Sequence, residues 1–235
     1  MIYESLSLEK LMEKTAREIF DILNSTILDR PGNIVFSMGG TSVTITTTDI
    51  VGNSIQSWLK QWLINNDIYQ SEPHNTQEFP DFFLSAENEK DHMLEVKAFN
   101  YNATPAFDIA NYESYIASVA VKPYRLNADY LIFGYTMDEN GTIAIRKIWL
   151  KKIWEIAATS QRYPLNTQVK RDVIYNIRPN SRFKKDLPSP FANKEDFLTA
   201  MYETQKLYRG EENANEWKRL LQESYLEYYN EELIF

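Results

Sequence analysis

The run ADYLIFGYTM at residues 128–137 limits the fold more than any other part of this 235-residue sequence. So apolar a stretch predicts a buried strand, and the DENG that follows predicts a turn. Residues 142–150 then predict the second strand of a hairpin. Other strand-like segments lie on either side of Gly39-Gly40, at 80–85, at 93–98 and at 172–179.

Helical segments alternate with these strands. Apolar residues at three- and four-residue steps predict helices at 7–24, 52–67, 108–121, 151–160, 194–209 and 213–230. Ser7 and Asp108 are the candidate N-caps of the first and third helices. This order predicts an α/β (α+β) fold in which helices flank a central mixed β-sheet and a C-terminal helical hairpin follows. Since no clear linker divides the chain, we expect a single domain over residues 1–235.

The helix at 52–67 has two different faces. Its apolar stripe is expected to pack in the core and consists of Ile55, Trp58, Leu59, Trp62 and Leu63. Its polar face consists of Asn53, Gln56 and Lys60.

The charge is distributed unevenly along the chain. The net charge is −8, yet the segment from Arg146 to Lys185 holds eleven basic residues against Glu155 and Asp172, a local charge of +9. Such asymmetry favours a basic face on an acidic body, as nucleic-acid binding requires. The plainer alternative is a solvated surface of alternating salt bridges.

Composition excludes several classes of site. The chain has no cysteine, so disulfides and thiolate metal sites are excluded, and its two histidines do not suit a multi-histidine zinc site. No window approaches the roughly 18 apolar residues of a membrane helix, and the N-terminus lacks the profile of a signal peptide. We therefore expect a cytoplasmic protein without a membrane partner.

Charged residues interrupt two apolar runs in FPDFFLSAENEKDHMLEVKAFN, residues 79–100. If the runs pair as strands, Asp81 and Glu95 meet at one end of the sheet, and Lys97 shares a strand face with Glu95. Two such carboxylates repel each other unless a cation lies between them. Oxygen ligands, including the Val96 carbonyl, suit Mg²⁺ or Mn²⁺, and Lys97 can hold an attacking water. This combination suits metal-assisted phosphodiester hydrolysis.

Pro80-Asp81, followed after thirteen residues by Glu95-Val96-Lys97, resembles the PD-(D/E)xK motif of the restriction-endonuclease-like nuclease superfamily. The resemblance covers about residues 50–180 and implies an αβββαβ core. The C-terminal helices at about 194–230 lie beyond it and are predicted from their apolar spacing. The resemblance also implies that Asp81 and Glu95 bind the metal and that Lys97 serves the nucleophilic water. Many members add an acidic or amide residue from the preceding helix, for which Gln56 or Asn53 is the candidate here.

The length, without any helicase or ATPase motif, is similar to that of type II restriction endonucleases. Gly39-Gly40-Thr41 does not continue as a phosphate-binding loop, so no nucleotide cofactor is expected. The resemblance implies a Mg²⁺-dependent homodimer, from a bacterial or archaeal host, that cuts short sites in double-stranded DNA. The candidate DNA-binding residues in the basic segment are Lys170, Arg171, Arg178 and Arg182.

Two other functions stay open on the sequence alone. One is a structure-specific nuclease for repair or for junction resolution. The other is a non-catalytic DNA-binding protein, in which Asp81 caps a turn and Glu95 and Lys97 form an ordinary ion pair on an edge strand.

Overall fold

A mixed five-stranded sheet lies at the centre of the computed structural model, which describes residues 11–75 and 78–235. Its strands, in spatial order, are β1 (Pro31–Gly32), β8 (Ile143–Lys151), β7 (Asp129–Met137), β5 (Met93–Asn100) and β4 (Phe82–Phe83). β5 and β7 are parallel, and the other neighbours are antiparallel. The predicted fold class is confirmed, as is the hairpin that β7 and β8 form.

Helices cover both faces of this sheet. They are α1 (Ala16–Thr26), α2 (Val51–Asn65), α3 (Tyr112–Val121), the single turn α4 (Ile153–Ile156), α5 (Lys194–Arg209) and α6 (Glu211–Tyr229). A parallel strand pair needs a crossover connection, and α3 lies in the one that joins β5 to β7.

β7 contributes side chains to a separate core on each face. Leu131 and Phe133 pack with the buried residues of α1 and α2. Tyr130 and Ile132 point the other way, because successive strand side chains alternate, and pack with α3, α5 and α6. The apolar run at 128–137 is therefore explained by burial on both sides.

The predicted stripe on α2 is wrong at one position. Ile55, Leu59 and Leu63 are buried together with Val51, but 42% of Trp58 is exposed. With 3.6 residues per turn, Trp58 lies at the margin of the stripe, and its indole borders a surface groove.

The first helix begins later than predicted. Ser7 lies outside the described residues, and α1 begins at Ala16. Thr15 is its N-cap, where its hydroxyl accepts a hydrogen bond from the Glu18 amide and the Glu18 carboxylate accepts one from the Thr15 amide. This reciprocal pair of hydrogen bonds sets the start of the helix.

The third helix also differs from prediction, because Asp108 is not its N-cap. Asn111 caps α3 by accepting a 3.0 Å hydrogen bond from the Ser114 amide. Residues 110–111 form β6 (Ala110–Asn111), which pairs with β10 (Val173–Ile177). A helix cannot begin within that pairing.

The predicted strand at 172–179 exists as β10, but it lies outside the central sheet. β10 pairs with β6 on one side and with β9 (Thr167–Lys170) on the other, which makes a second sheet. Arg171 and Asp172, both with positive φ, form the tight turn between β9 and β10. That turn returns the chain antiparallel to β9.

Two further predictions hold. β2 (Val35–Met38) and β3 (Thr41–Thr44) form the hairpin predicted on either side of Gly39-Gly40, and both glycines take the positive φ of the turn. α5 and α6 form the C-terminal helical hairpin. None of the helices among the described residues is long and apolar enough to cross a membrane.

Candidate active site

Asp81 immediately precedes β4 and lies beside Glu95 of β5. Phe82 faces Leu94 in the antiparallel pair, so the residue before Phe82 and the residue after Leu94, which are these two acids, come opposite each other. The Asp81 amide donates to Glu95 Oε2 over 3.2 Å, and the Val96 amide donates to Asp81 Oδ2 over 2.7 Å. Backbone pairing thus holds both carboxylates at one sheet edge, as expected from the sequence.

Lys97 lies on the same face of β5 as Glu95. Its Nζ is 2.9 Å from Glu95 Oε1, and only 8% of Glu95 is exposed, so the contact is not an ordinary surface ion pair. Burial alone would lower the pKa of Lys97, but the Glu95 and Asp81 carboxylates outweigh it and raise that pKa. Without a bound cation, the two carboxylates therefore favour the ammonium form of Lys97.

The pKa of the Asp81 carboxyl lies close to neutral pH. Burial and the adjacent Glu95 raise this pKa to about 7, although the Val96 hydrogen bond opposes this. A divalent cation between the two acids would relieve their repulsion. Because the N–H and C=O of a strand residue point to the same side, the Val96 carbonyl also faces this edge.

The oxygen set fits a hard divalent ion. Among the described residues no group of three or more histidine, cysteine, aspartate or glutamate side chains forms a metal cluster. The donors at the sheet edge are instead two carboxylates and a backbone carbonyl, with space for water. Mg²⁺ commonly binds through one or two carboxylates and retains several waters.

α2 contributes Gln56 to the site. Its side-chain amide donates a 2.7 Å hydrogen bond to Asp81 Oδ1, the carboxylate oxygen that the Val96 amide does not reach. Asn53, the other accessory candidate, lies nearly one turn earlier on the helix and is exposed. The structure therefore brings Gln56, and not Asn53, to the two acids.

A cavity of about 390 Å³ opens in front of Asp81, Glu95 and Lys97. The rest of its lining comes from Glu78 and Phe79, from the loop before β6, from α3 and from the 3-10 helix Pro123–Asn127. Sequence reasoning missed the residues of that lining, which include Asp108, Ser114, Tyr115, Ser118 and Arg125. No local motif marks them, because only the crossover through α3 brings them to the cavity.

The four candidate DNA-binding residues are in different surroundings. Arg178 forms an ion pair with Asp108 at the cavity wall and donates to the Ala106 carbonyl over 2.9 Å. Lys170 and Arg171 are exposed at the tip of the β9–β10 hairpin. Arg182 is exposed in the following loop and donates to the Pro188 carbonyl.

Ion pairs neutralise part of the basic segment. Acids outside it bind Arg146, Lys147, Lys152 and Arg178, and acids within it bind Lys151 and Arg162. Among the described residues, no acid pairs with Lys170, Arg171 or Arg182. The alternating salt bridges considered from the sequence therefore exist, but they leave these three cations unpaired.

A mixed sheet with an Asp, Glu and Lys constellation at one edge defines the restriction-endonuclease-like class of nucleases. The model of the NgoBV restriction endonuclease family matches residues 13–235, and the chain belongs to that family. It is a type II restriction endonuclease. Such enzymes cleave double-stranded DNA at specific sequences and generally use a divalent metal ion.

Relatives and a solved structure agree with this membership. The chain is 42% identical over 228 residues to the type II restriction enzyme NlaIV of Neisseria lactamica, covering 94% of this chain and 93% of that protein. It is 38% identical over 163 residues to the type II restriction enzyme NgoBV of Neisseria gonorrhoeae, covering 68% and 93%. The solved NlaIV restriction endonuclease superposes with a TM-score of 0.86 at 41% identity, covering 95% of this chain and 93% of that one.

Proposed function

We propose that Asp81, Glu95 and Lys97 form the catalytic site at which this endonuclease hydrolyses DNA phosphodiester bonds. Its proposed cofactor is Mg²⁺, for which Mn²⁺ can substitute. The metal ligands are the Asp81 and Glu95 carboxylates and the Val96 carbonyl. The observation that carries the proposal is the hydrogen-bonded set formed by buried Glu95, half-buried Asp81 and the Lys97 ammonium in the lining of an open cavity.

The bound cation supplies Lewis-acid polarisation of the phosphate and lowers the pKa of water. Lys97 orients the attacking water by hydrogen bonding, from its position beside Glu95. Gln56 and the Val96 amide hold the Asp81 carboxylate in a single orientation. The implied products carry 5′-phosphate and 3′-hydroxyl ends.

A homodimer is the proposed active form. One chain presents the pair of acids Asp81 and Glu95, whereas a DNA duplex has two strands to cut. Two copies related by a two-fold axis match the symmetry of a palindromic site. Lys170, Arg171, Arg178 and Arg182 are the proposed DNA contacts, and the bacterial cytoplasm, where DNA lies, is the proposed compartment.

We also propose that residues 1–235 act as one endonuclease domain. The larger core cluster supports this, because it joins α5 and α6 to α3, β7 and β8. The helical hairpin therefore shares its buried residues with the part of the chain that holds the candidate site.

Plasmid cleavage tests the catalytic assignment. With Mg²⁺, the protein should produce discrete fragments, and Asp81→Ala or Lys97→Ala should abolish cleavage while largely preserving specific DNA binding. Glu216→Ala is the matched control, since Glu216-Trp217-Lys218 repeats the ExK spacing on α6, where Glu216 is exposed and paired with Arg219. Full cleavage by the Asp81 and Lys97 variants would contradict the assignment.

Membership of a restriction endonuclease family disagrees with the two alternatives left open by the sequence, a structure-specific nuclease and a non-catalytic DNA-binding protein. Mapping the fragment ends on DNA of known sequence gives the recognition site and the stagger of the cut.

A further inference from the structure

The candidate cavity contains a second cation besides Lys97. Glu78, Asp81, Glu95 and Asp108 line it, and so does Arg125. Such a concentration of acids repels a DNA phosphate, so the approach of the substrate needs compensating positive charge. Lys97 already contacts Glu95, and the pairing of Asp108 with Arg178 engages that arginine.

Arg125 differs from those two cations in being unpaired. Within residues 11–75 and 78–235 it forms no ion pair, and its guanidinium donates no hydrogen bond to protein. It is half-buried, so its charge is only partly hydrated. A cation in this position has its donors available for an anion in the cavity.

The surroundings of Arg125 hold it in place. It belongs to the 3-10 helix Pro123–Asn127, which the fully buried Leu126 anchors in the core. Its guanidinium carbon lies 5.7 Å from the ring centroid of Phe79. Phe79 immediately precedes Pro80-Asp81, so this cation–π contact connects Arg125 to the start of the proposed catalytic motif.

We propose that Arg125 binds a backbone phosphate of the cleaved DNA strand, in the cavity that it lines together with Asp81, Glu95 and Lys97. A guanidinium has five donors in one plane and binds phosphate oxygens in pairs. The cation–π contact with Phe79 occupies none of these donors. The inference rests on the proposed catalytic site, and it adds a phosphate-binding residue from the lining of the cavity.

Three variants test this role. Arg125→Met keeps an apolar side chain over Phe79 but removes the donors, and should lower kcat/KM for cleavage about 100-fold. Arg125→Lys keeps the charge without the planar fork and should recover part of the loss. Lys122→Ala is the matched control, because Lys122 is an exposed cation of the same segment that does not line the cavity. It should cleave at the wild-type rate.

A second measurement identifies the contact itself. In Ca²⁺, the affinity for a short duplex bearing the mapped site is compared with that for duplexes carrying one neutral methylphosphonate at successive positions. When the contacted phosphate is neutralised, the wild type should bind about tenfold more weakly. Arg125→Met already lacks the contact, so its affinity should not change at that position. Equal losses in both proteins at every position would overturn the proposal, even if Arg125→Met folds poorly or cleaves slowly.

Failure of this inference is distinguishable from failure of the catalytic site. If Asp81→Ala is inactive and Arg125→Met cleaves normally, only the role of Arg125 is wrong. If Asp81→Ala also cleaves normally, the cavity is not the catalytic centre and both proposals fail.

Discussion

Gln56 donates a 2.7 Å hydrogen bond to Asp81 across 25 residues of sequence, joining α2 to the start of β4. Gln56 donates to Oδ1 of the Asp81 carboxylate, and the Val96 amide donates to Oδ2. Together the two hydrogen bonds fix the orientation of this partly buried carboxylate. Partners that orient a metal-binding carboxylate typically change metal affinity or activity 10- to 100-fold when they are removed, as an order-of-magnitude guide.

Gln56→Ala should therefore lower cleavage about tenfold or more at limiting Mg²⁺, with a smaller loss when the metal is saturating. The reason is that an unrestrained Asp81 carboxylate binds the cation less well. Steady-state cleavage across a Mg²⁺ titration measures the effect. Gln61→Ala on the same helix is the control, since the exposed Gln61 side chain donates to Asn65 and does not reach Asp81. Equal metal dependence in both variants would show that Gln56 does not position Asp81.

The raised pKa of Asp81 should make metal-free stability depend on pH. The folded protein retains this proton up to about pH 7, whereas the unfolded chain loses it near the ordinary value of 3.8. Between those values the unfolded state binds fewer protons, so the free energy of unfolding falls as pH rises. The slope from this one group is at most about 1.4 kcal/mol per pH unit.

Urea unfolding of the wild type and of Asp81→Asn across that window measures the difference. The variant should lack this contribution and gain relative stability as pH rises. Added Mg²⁺ should flatten the wild-type slope, since the cation favours the ionised carboxylate. Parallel pH profiles for the two proteins would exclude the raised pKa.

Gly134 should tolerate no larger side chain. A Cβ there would lie 2.8 Å from Tyr101 and 2.9 Å from Trp149, both ring atoms packed over β7. Gly134→Ala should cost about 1–3 kcal/mol of unfolding free energy, because one of the rings must move. Thermal or urea unfolding measures the change.

The same substitution at Gly52 should have the opposite sign. Gly52 is exposed in the first turn of α2, and apart from its chain neighbours and the backbone of the helix itself, no atom lies within 4 Å of the position that an added Cβ would take. Gly52→Ala should stabilise the protein by about 0.5–1 kcal/mol, through the higher helix propensity of alanine. A destabilised Gly52→Ala together with an unaffected Gly134→Ala would contradict the packing described here.

Arg182 should contribute to the salt dependence of DNA binding. Removing one phosphate contact reduces the slope of log affinity against log salt concentration by about one. Arg182→Gln should show that change, because this exposed cation has no acidic partner among the described residues. Arg219→Gln on α6 should not, because two glutamates bind Arg219. Fluorescence anisotropy over a salt series compares them, and identical slopes would remove Arg182 from the interface.

The sequence by itself determined the central elements and the main constellation. Its apolar runs predicted β5, β7 and β8, because burial demands continuous apolar side chains. Charged residues in the apolar runs at 80–85 and 93–98 marked Asp81, Glu95 and Lys97 as candidates, because charges are rare in buried strands unless they are paired or bind a ligand. These are local signals, and they require no knowledge of the remaining chain.

Only the tertiary structure decided which distant residues join that constellation. Asp108 looked like a helix cap and pairs with Arg178 instead, and the strand at 172–179 joined a second sheet. Of two similar amides on α2, the helix orientation placed Gln56 against Asp81 and left Asn53 in solvent. Arg125 reaches the cavity through the crossover between β5 and β7, and such long-range packing leaves no periodic or local trace in a sequence.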